Sequence, residues 1–463
     1  MHLAVHLAVR LAALAALLLP AQAAVAQPAS TSRTDRPNVV LIITDDMGWA
    51  DLGSYGARDV RTPNLDRLAR QGVRFTDFYA NGVSCTPTRT GLITGRYQQR
   101  YGAEFPLAAD GERMEPGARA LDASPTSLPR LLADGGYATA LVGKWHLGYA
   151  AEQSPAAHGF EYFFGLKSGY HDYWRHTDSR GQPDLWENDA RVSVFGYTTD
   201  LIAAKAVDFI TRHQGEPFFV DVAFNAPHWP FQRPGTPSVA VDDARFLKPA
   251  DSLTSTRADY VALVERMDQG VGEILAALDR LGLARNTIVI FTNDNGGEWL
   301  SDNGPHFNRK FTTWEGGIRV PAIVRWPGRI RAGTVTRQVG ITMDLTASVL
   351  AATGVAVPAA ARHEGTNLFP VLEGRAAMAE RTLFWRSTGL GRNMRAVRRG
   401  DLKLVVDGGH LFLFDVRRDP GERHDLARLR TADARALRLA LDAWERDVDA
   451  EASGRLGSRE GAR

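Results

Sequence analysis

Cysteine is almost absent from this sequence. Cys85 is the single one among 463 residues, so no internal disulfide can form and stability must come from the core. Lysine is nearly as scarce: Lys144, Lys167, Lys205, Lys248, Lys310 and Lys403 are the only ones among 55 basic residues. A chain that otherwise uses arginine keeps lysine where a compact, titratable ammonium matters. Neither sign of charge is in excess. The formal net charge of +2 argues against nucleic acid or a membrane surface as the main partner. Beyond its first residues the chain has no apolar run long enough to span a bilayer, and it has no internal repeat or low-complexity block.

What is present starts with a leader. "MHLAVHLAVRLAALAALLLPAQAAVAQPAS" combines a weakly basic start, a short apolar core from Leu11 to Leu19 and an Ala24-Val25-Ala26 end. This reads as a secretory signal peptide over 1–26, with no membrane span left after cleavage. The expected location is periplasmic or secreted.

The remaining length exceeds one ordinary core. Val39–Thr44 is a continuous apolar, β-branched run, the pattern of a strand buried on both faces. Helix-spaced Leu65, Leu68 and Ala69 follow, with Gly72 as a stop. Strands at Ala138–Val142, in "PFFVDVAF" and in "NTIVIF" each follow an amphipathic helical stretch. This alternation predicts an α/β class: a large domain over 36–372 with a mostly parallel sheet flanked by helices. From about 373 the texture changes. Alternating apolar and polar residues with a Gly408-Gly409 turn, then "TADARALRLALDAWERDVDA", predict a smaller α+β domain over 373–463 with an antiparallel sheet. The final "EASGRLGSREGAR" reads as a disordered tail.

Chemistry gathers at strand ends. Asp45 and Asp46 follow "VVLIIT", and Asp294 and Asn295 follow "TIVIFT", where open parallel sheets place ligands. Either pair alone reads first as a turn or cap. Together they point to a hard divalent cation, Ca²⁺ or Mg²⁺, because adjacent carboxylates repel until a cation joins them. Lys144 and His146 follow another strand, His228 sits between prolines in "APHWPF", and Lys310 lies in a polar loop after the Asp294 strand. Cations and imidazoles around a metal suit an anionic ester substrate. Cys85 fits poorly here, because Ca²⁺ and Mg²⁺ take oxygen ligands rather than sulfur. Pro87 stiffens its turn and Arg89 stands one helical turn on.

"CTPTRTGLITGR" matches the Cys-x-Pro-x-Arg signature of the type I sulfatases, within the alkaline phosphatase superfamily. "PNVVLIITDDMGWADLGSYG", "TPNLDRLARQGVRFTDFY", "GYATALVGKWHLG", "APHWP", "FTNDNGG" and "TTWEGGIRVPAIVRWPG" resemble further family blocks, in family order, and the resemblance runs from about Arg36 to Leu426. "LFDVRRDPGERHDLA" is similar to the family's C-terminal segment, with Phe414 in place of the usual Tyr. The segment "FEYFFGLKSGYHDYWRH" resembles arylsulfatases and N-acetylgalactosamine sulfatases.

The resemblance implies that a maturation enzyme oxidises Cys85 to formylglycine, whose hydrate is the nucleophile. It implies one Ca²⁺ per chain, with Mg²⁺ the second choice, held by Asp45, Asp46, Asp294, Asn295 and the modified Cys85. Arg89 and Lys144 would hold the nucleophile, and His146 would collapse the sulfated intermediate. His228 and Lys310 would bind sulfate oxygens and assist the leaving alcohol, and Asp294 is a candidate proton acceptor. The expected substrate is a sulfated saccharide, a galactosamine or galactose sulfate, bordered by Tyr170, Tyr173 and Trp174 with His171, Arg175 and His176. Two alternatives stay open: a phosphonate monoester or phosphodiester hydrolase on the same scaffold, and a non-catalytic, calcium-dependent glycan-binding protein with an unmodified thiol.

Overall fold

The computed structural model describes residues 36–108, 117–235, 255–389 and 391–460, the last five without side chains. The expected signal peptide lies outside the described residues. Asn38–Thr44 (β1) is buried at every position, because it has a strand on each side and layers of helix above and below. It pairs in parallel with Phe218–Ala223 (β7) and Thr287–Asn293 (β8). Ala138–Lys144 (β3) pairs in parallel with β7 and with Tyr162–Leu166 (β4).

Short strands extend both edges. Trp186–Glu187 (β5) and Ala190–Arg191 (β6) add antiparallel beyond β4. On the other side Ala322–Arg325 (β9) pairs antiparallel with β8 and with Val73–Phe75 (β2), and Thr334–Thr336 (β10) closes that edge. The ten-stranded order is β10-β2-β9-β8-β1-β7-β3-β4-β5-β6.

Alternation along the strands splits the core in two. Val40, Ile42, Val220, Val222 and Phe291 face Pro63–Gln71 (α1), Thr198–Arg212 (α4) and Arg257–Arg280 (α5), through Leu65, Ile202, Phe209 and Leu263. Leu41, Ile43, Phe219 and Ile290 face Cys85–Thr94 (α2), Leu128–Asp134 (α3) and Thr342–Thr353 (α6), through Leu92, Leu131 and Val349.

A separate four-stranded sheet is antiparallel, in the order Thr382–Ser387 (β11), Met394–Arg399 (β12), Leu402–Asp407 (β13) and His410–Asp415 (β14). Trp385 Nε1 donates to the Ala80 carbonyl at 2.8 Å, and Lys403 lies 2.9 Å from both Glu315 and Glu422. These contacts tie the sheet to the segments around α2 and the loop after β8. The last helix, Thr431–Glu460 (α7), runs into the stretch expected to be a disordered tail. Its extension has a partner inside the protein: Glu451 accepts from Arg96 at 2.7 and 2.8 Å and from Arg100 at 3.1 Å. A polar tail read in isolation gives no sign of such anchors.

Candidate active site

Parallel register builds the site. Thr44 lies opposite Asn293, so β1 and β8 end side by side and Asp45-Asp46 emerges next to Asp294-Asn295. Asp46 N–H donates to Asp294 Oδ1 at 3.4 Å, and Asn295 Nδ2 donates to Asp46 Oδ1 at 2.7 Å. Asp46 has φ +62° and His146 φ +58°. Left-handed backbone in non-glycine residues is strain that surrounding structure must hold, and such strain clusters at functional sites.

Each carboxylate has its own cation. Lys144, the last residue of β3, places Nζ 2.5 Å from Asp45 Oδ2. Lys310 Nζ lies 2.7 Å from Asp46 Oδ2. Arg89 gives Nε and Nη2 to Asp294 Oδ2 at 3.2 and 3.0 Å, and Nη1 to the Lys144 carbonyl at 3.1 Å. Cys85 opens α2, with Sγ 3.4 Å from Asp45 Oδ1. All ten candidate residues are buried, and the structure brings them to one place. The ligating atoms of Asp45, Asp46, Cys85 and His228 lie within 4.8 Å of one another.

Burial and charge set the protonation states. Burial, then Asp45, pushes the Cys85 thiol far above its usual range, so the unmodified thiol is a poor nucleophile. Burial, then Lys144, holds His146 well below the usual imidazole range. Its Nε2 donates to the Leu107 carbonyl at 2.9 Å, and Nδ1 is buried without a partner. His146 therefore presents a neutral ring with a free basic nitrogen. Burial takes His228 down to about 3, with Asp46 opposing. Against the upward push of burial, Lys310 first and His228 next hold Asp46 below the usual carboxylate range. Burial and then Asp45 raise Asp294 to about 6.

Comparison with known proteins agrees with this geometry. The family model "Sulfatase" matches residues 37–355, and the model "N-sulphoglucosamine sulphohydrolase, C-terminal" matches residues 304–442. The chain is 35% identical over 413 residues to N-acetylgalactosamine-6-sulfatase of Rattus norvegicus, covering 84% of this chain and 74% of the relative. This chain belongs to the sulfatase family. Arylsulfatase G of Mus musculus is 32% identical over 406 residues, covering 77% of this chain and 73% of the relative. The crystal structure of Ps i-CgsB superposes with a TM-score of 0.79 at 29% identity, over 88% of this chain and 92% of that one. The protein is a type I sulfatase of the alkaline phosphatase superfamily, and a sulfuric ester hydrolase.

The sulfatase site fits a divalent cation. Its donors are mainly carboxylate and amide oxygens, the set that suits Ca²⁺ or Mg²⁺. Asn295 Oδ1 is buried and has no hydrogen-bond partner. His228 Nδ1 donates to the Trp229 carbonyl at 2.6 Å, which leaves Nε2 facing Asp46 Oδ2 at 3.4 Å. With the ring neutral, two acceptors face one another there, and either a proton on Nε2 or a cation at Asp46 relieves them.

A cavity of about 750 Å³ opens above the cluster, and Cys85, His146, His228 and Lys310 all border it. That is the size of a pocket for a drug-sized ligand, roughly 300–1,000 Å³. Phe105 stacks on Phe311 with centroids 5.8 Å apart along one side. Tyr170 and Trp229, 4.0 Å apart, with Trp299 beyond them, form another. Arg392, from the loop between β11 and β12, also reaches the cavity. Its guanidinium is held by Asp407 at 2.9 and 2.5 Å, and Asp407 accepts from Trp314 Nε1 at 2.9 Å.

Of the expected sugar-bordering residues, only Tyr170 lines this cavity. Tyr173 stacks on Tyr197 with centroids 5.2 Å apart and donates to the His228 carbonyl at 2.8 Å. Trp174 packs 5.1 Å from Tyr197, His171 hydrogen-bonds Thr198 Oγ1 at 2.9 Å, and His176 contacts the Gly196 carbonyl at 3.0 Å. Tyr173 thus braces the His228 loop, and Trp174, His171 and His176 pack on the start of α4, because this aromatic segment has a core face of its own. Arg175 is likewise not among the lining residues. The residues missed from the sequence are Phe105, Trp229, Glu298, Trp299, Phe311 and Arg392. Trp229, beside His228, and Glu298-Trp299, just past Asn295, were the readable ones.

Proposed function

We propose that this sulfatase removes sulfate from a sulfated sugar residue, using an oxygen nucleophile made from Cys85 beside a bound divalent metal. The observation that carries the reading is the position of Cys85. Its sulfur sits at the N-terminus of α2, 3.4 Å from a carboxylate of an otherwise hard-donor cluster, at the floor of a cavity ringed by cations. Oxidation of Cys85 to formylglycine by a maturation enzyme would supply a hydrate whose second hydroxyl lets sulfate leave without attack of water on sulfur. Ca²⁺, held by Asp45, Asp46, Asp294, Asn295 and the modified residue, would supply positive charge for the nucleophile and sulfate oxygens.

The remaining work falls to the chain's own side chains. Without a metal, Asp45, Asp46 and Asp294 are matched one to one by Lys144, Lys310 and Arg89, and a divalent ion would add two positive charges to that set. Lys310 and, once protonated at Nε2, His228, both on the cavity side, would turn from Asp46 to the nonbridging oxygens and the leaving alcohol. Arg89 and Lys144 hold residue 85 from below. His146, neutral and with Nδ1 unpartnered, takes the proton that lets the cycle close.

The saccharide reading draws on the relatives. The rat protein is named for N-acetylgalactosamine 6-sulfate, and Ps i-CgsB was also solved with k-i-k-neocarrahexaose, at 28% identity. Released sulfate measured across defined galactosamine, galactose and glucosamine sulfates tests it. Turnover of at least one of them is expected; activity confined to small aryl sulfates or choline sulfate contradicts it. The reading includes export, with 1–26 removed, a catalytic domain over 36–372 and a subdomain over 373–463. Among the described residues no helix is long and apolar enough to cross a membrane.

A further inference from the structure

We infer that Glu298 reads the hydroxyl groups of the sugar ring that carries the sulfate; this rests on the glycan reading above and names the residue that makes it selective. Glu298 lies three residues past Asn295 and borders the cavity. It stands between the sulfate end and the aromatic side. Its Oε2 is 3.8 Å from Lys310 Nζ, and the next residue is Trp299, with centroid 6.4 Å from Trp229. The turn that carries it is fixed by Ser301, whose N–H and Oγ–H donate to the Glu298 carbonyl at 2.8 and 2.5 Å.

Lys310 does not need Glu298 as a partner. Its ammonium already holds Asp46 at 2.7 Å, and 3.8 Å is beyond hydrogen-bond reach. The Glu298 carboxyl also meets Asp46 in a side-chain hydrogen bond, and a carboxyl in the wall of a cavity that receives an anion works against binding unless it also does something for the rest of the ligand. What it can do is accept hydrogen bonds. A pyranose offers hydroxyl donors at its edge and an apolar C–H face, and this wall offers a carboxyl at its edge and an indole beside it. An aryl sulfate offers the sulfate and an apolar face, but no hydroxyls. A site built to hydrogen-bond a hydroxyl loses most on substrates or variants that leave that bond unmade.

The test compares kcat/KM for a monosulfated sugar with kcat/KM for an aryl sulfate, in wild type, Glu298→Ala and Glu298→Gln. The aryl sulfate reaction also reports that each variant folds and matures. In Glu298→Ala the sugar-to-aryl ratio is expected to fall roughly 10- to 100-fold, the effect of one charge-assisted hydrogen bond. Glu298→Gln, which keeps an acceptor without the charge, is expected to recover part of it. A ratio within two-fold of wild type in both variants overturns the inference, whether the two activities fall together or neither moves. A ratio lost as fully in Gln as in Ala also overturns it, because that marks a charge partner of Lys310. Failure of the wild type to release sulfate from any sugar would instead strike the proposed function.

Discussion

His228 Nε2 faces Asp46 Oδ2 across 3.4 Å, with its other ring nitrogen already committed to the Trp229 carbonyl. Both groups are buried, so the contact calls for positive charge, from a proton on the ring or a cation on the carboxylate. The arrangement makes sense as half of a cation site, and it gives the first expectation. Millimolar Ca²⁺ should raise the Tm of the purified protein, and a chelator should lower it. A concentration of 100 times Kd corresponds to about 2.7 kcal/mol. Asn295→Ala removes an oxygen that has no other partner and should shrink the shift. A Tm indifferent to both calcium and chelator contradicts the metal reading.

Lys144 and Asp45 are an ion pair with both side chains fully buried. Lys144→Ala leaves a carboxylate alone in the interior, a change that costs roughly 3–5 kcal/mol. Denaturant unfolding without metal should show that loss, and calcium should return part of it by giving Asp45 another cation. Equal losses with and without calcium would count against Asp45 as a ligand.

Lys310→Ala should act mainly on the substrate's anionic group. The expected outcome is a fall of roughly 10- to 100-fold in kcat/KM for sulfate esters, read from steady-state kinetics at saturating metal. Unchanged kinetics would remove Lys310 from the reaction.

Asp221, on β7, gives a pH-dependent expectation outside the ligand set. Burial raises its carboxyl to about 7, with Arg89 opposing, and Oδ1 has no partner. The native state therefore binds this proton more tightly than the unfolded chain, whose aspartates titrate near 3.8. Stability from this group is complete below about 3.8 and is lost as pH rises through about 7. Asp221→Asn removes that loss, so its Tm relative to wild type should be more favourable at pH 8 than at pH 5. The opposite order would contradict the assignment.

The framework of the site was legible because parallel strands buried on both faces read as continuous apolar runs, and functional residues sit at their carboxyl ends. Asp45, Asp46, Asp294 and Asn295 were placed by that rule alone, and Lys144, His146 and His228 by its repetition. The substrate wall was not legible in the same way. Tyr173 and Trp174 look like sugar contacts in a sequence, yet they pack on Tyr197. Phe105, Phe311 and Arg392 come from three separate loops that only the assembled fold brings to one cavity. The reach of α7 was hidden for a related reason, since its anchors Arg96 and Arg100 lie more than 300 residues away.

The most direct test is mass spectrometry of the peptide containing Cys85, from active protein made in a host with the maturation enzyme, with turnover measured on the same sample. The account predicts an aldehyde or its hydrate at residue 85, an occupancy that tracks turnover, and no activity in Cys85→Ala. An unmodified thiol in fully active protein, or full activity in Cys85→Ala, would contradict it.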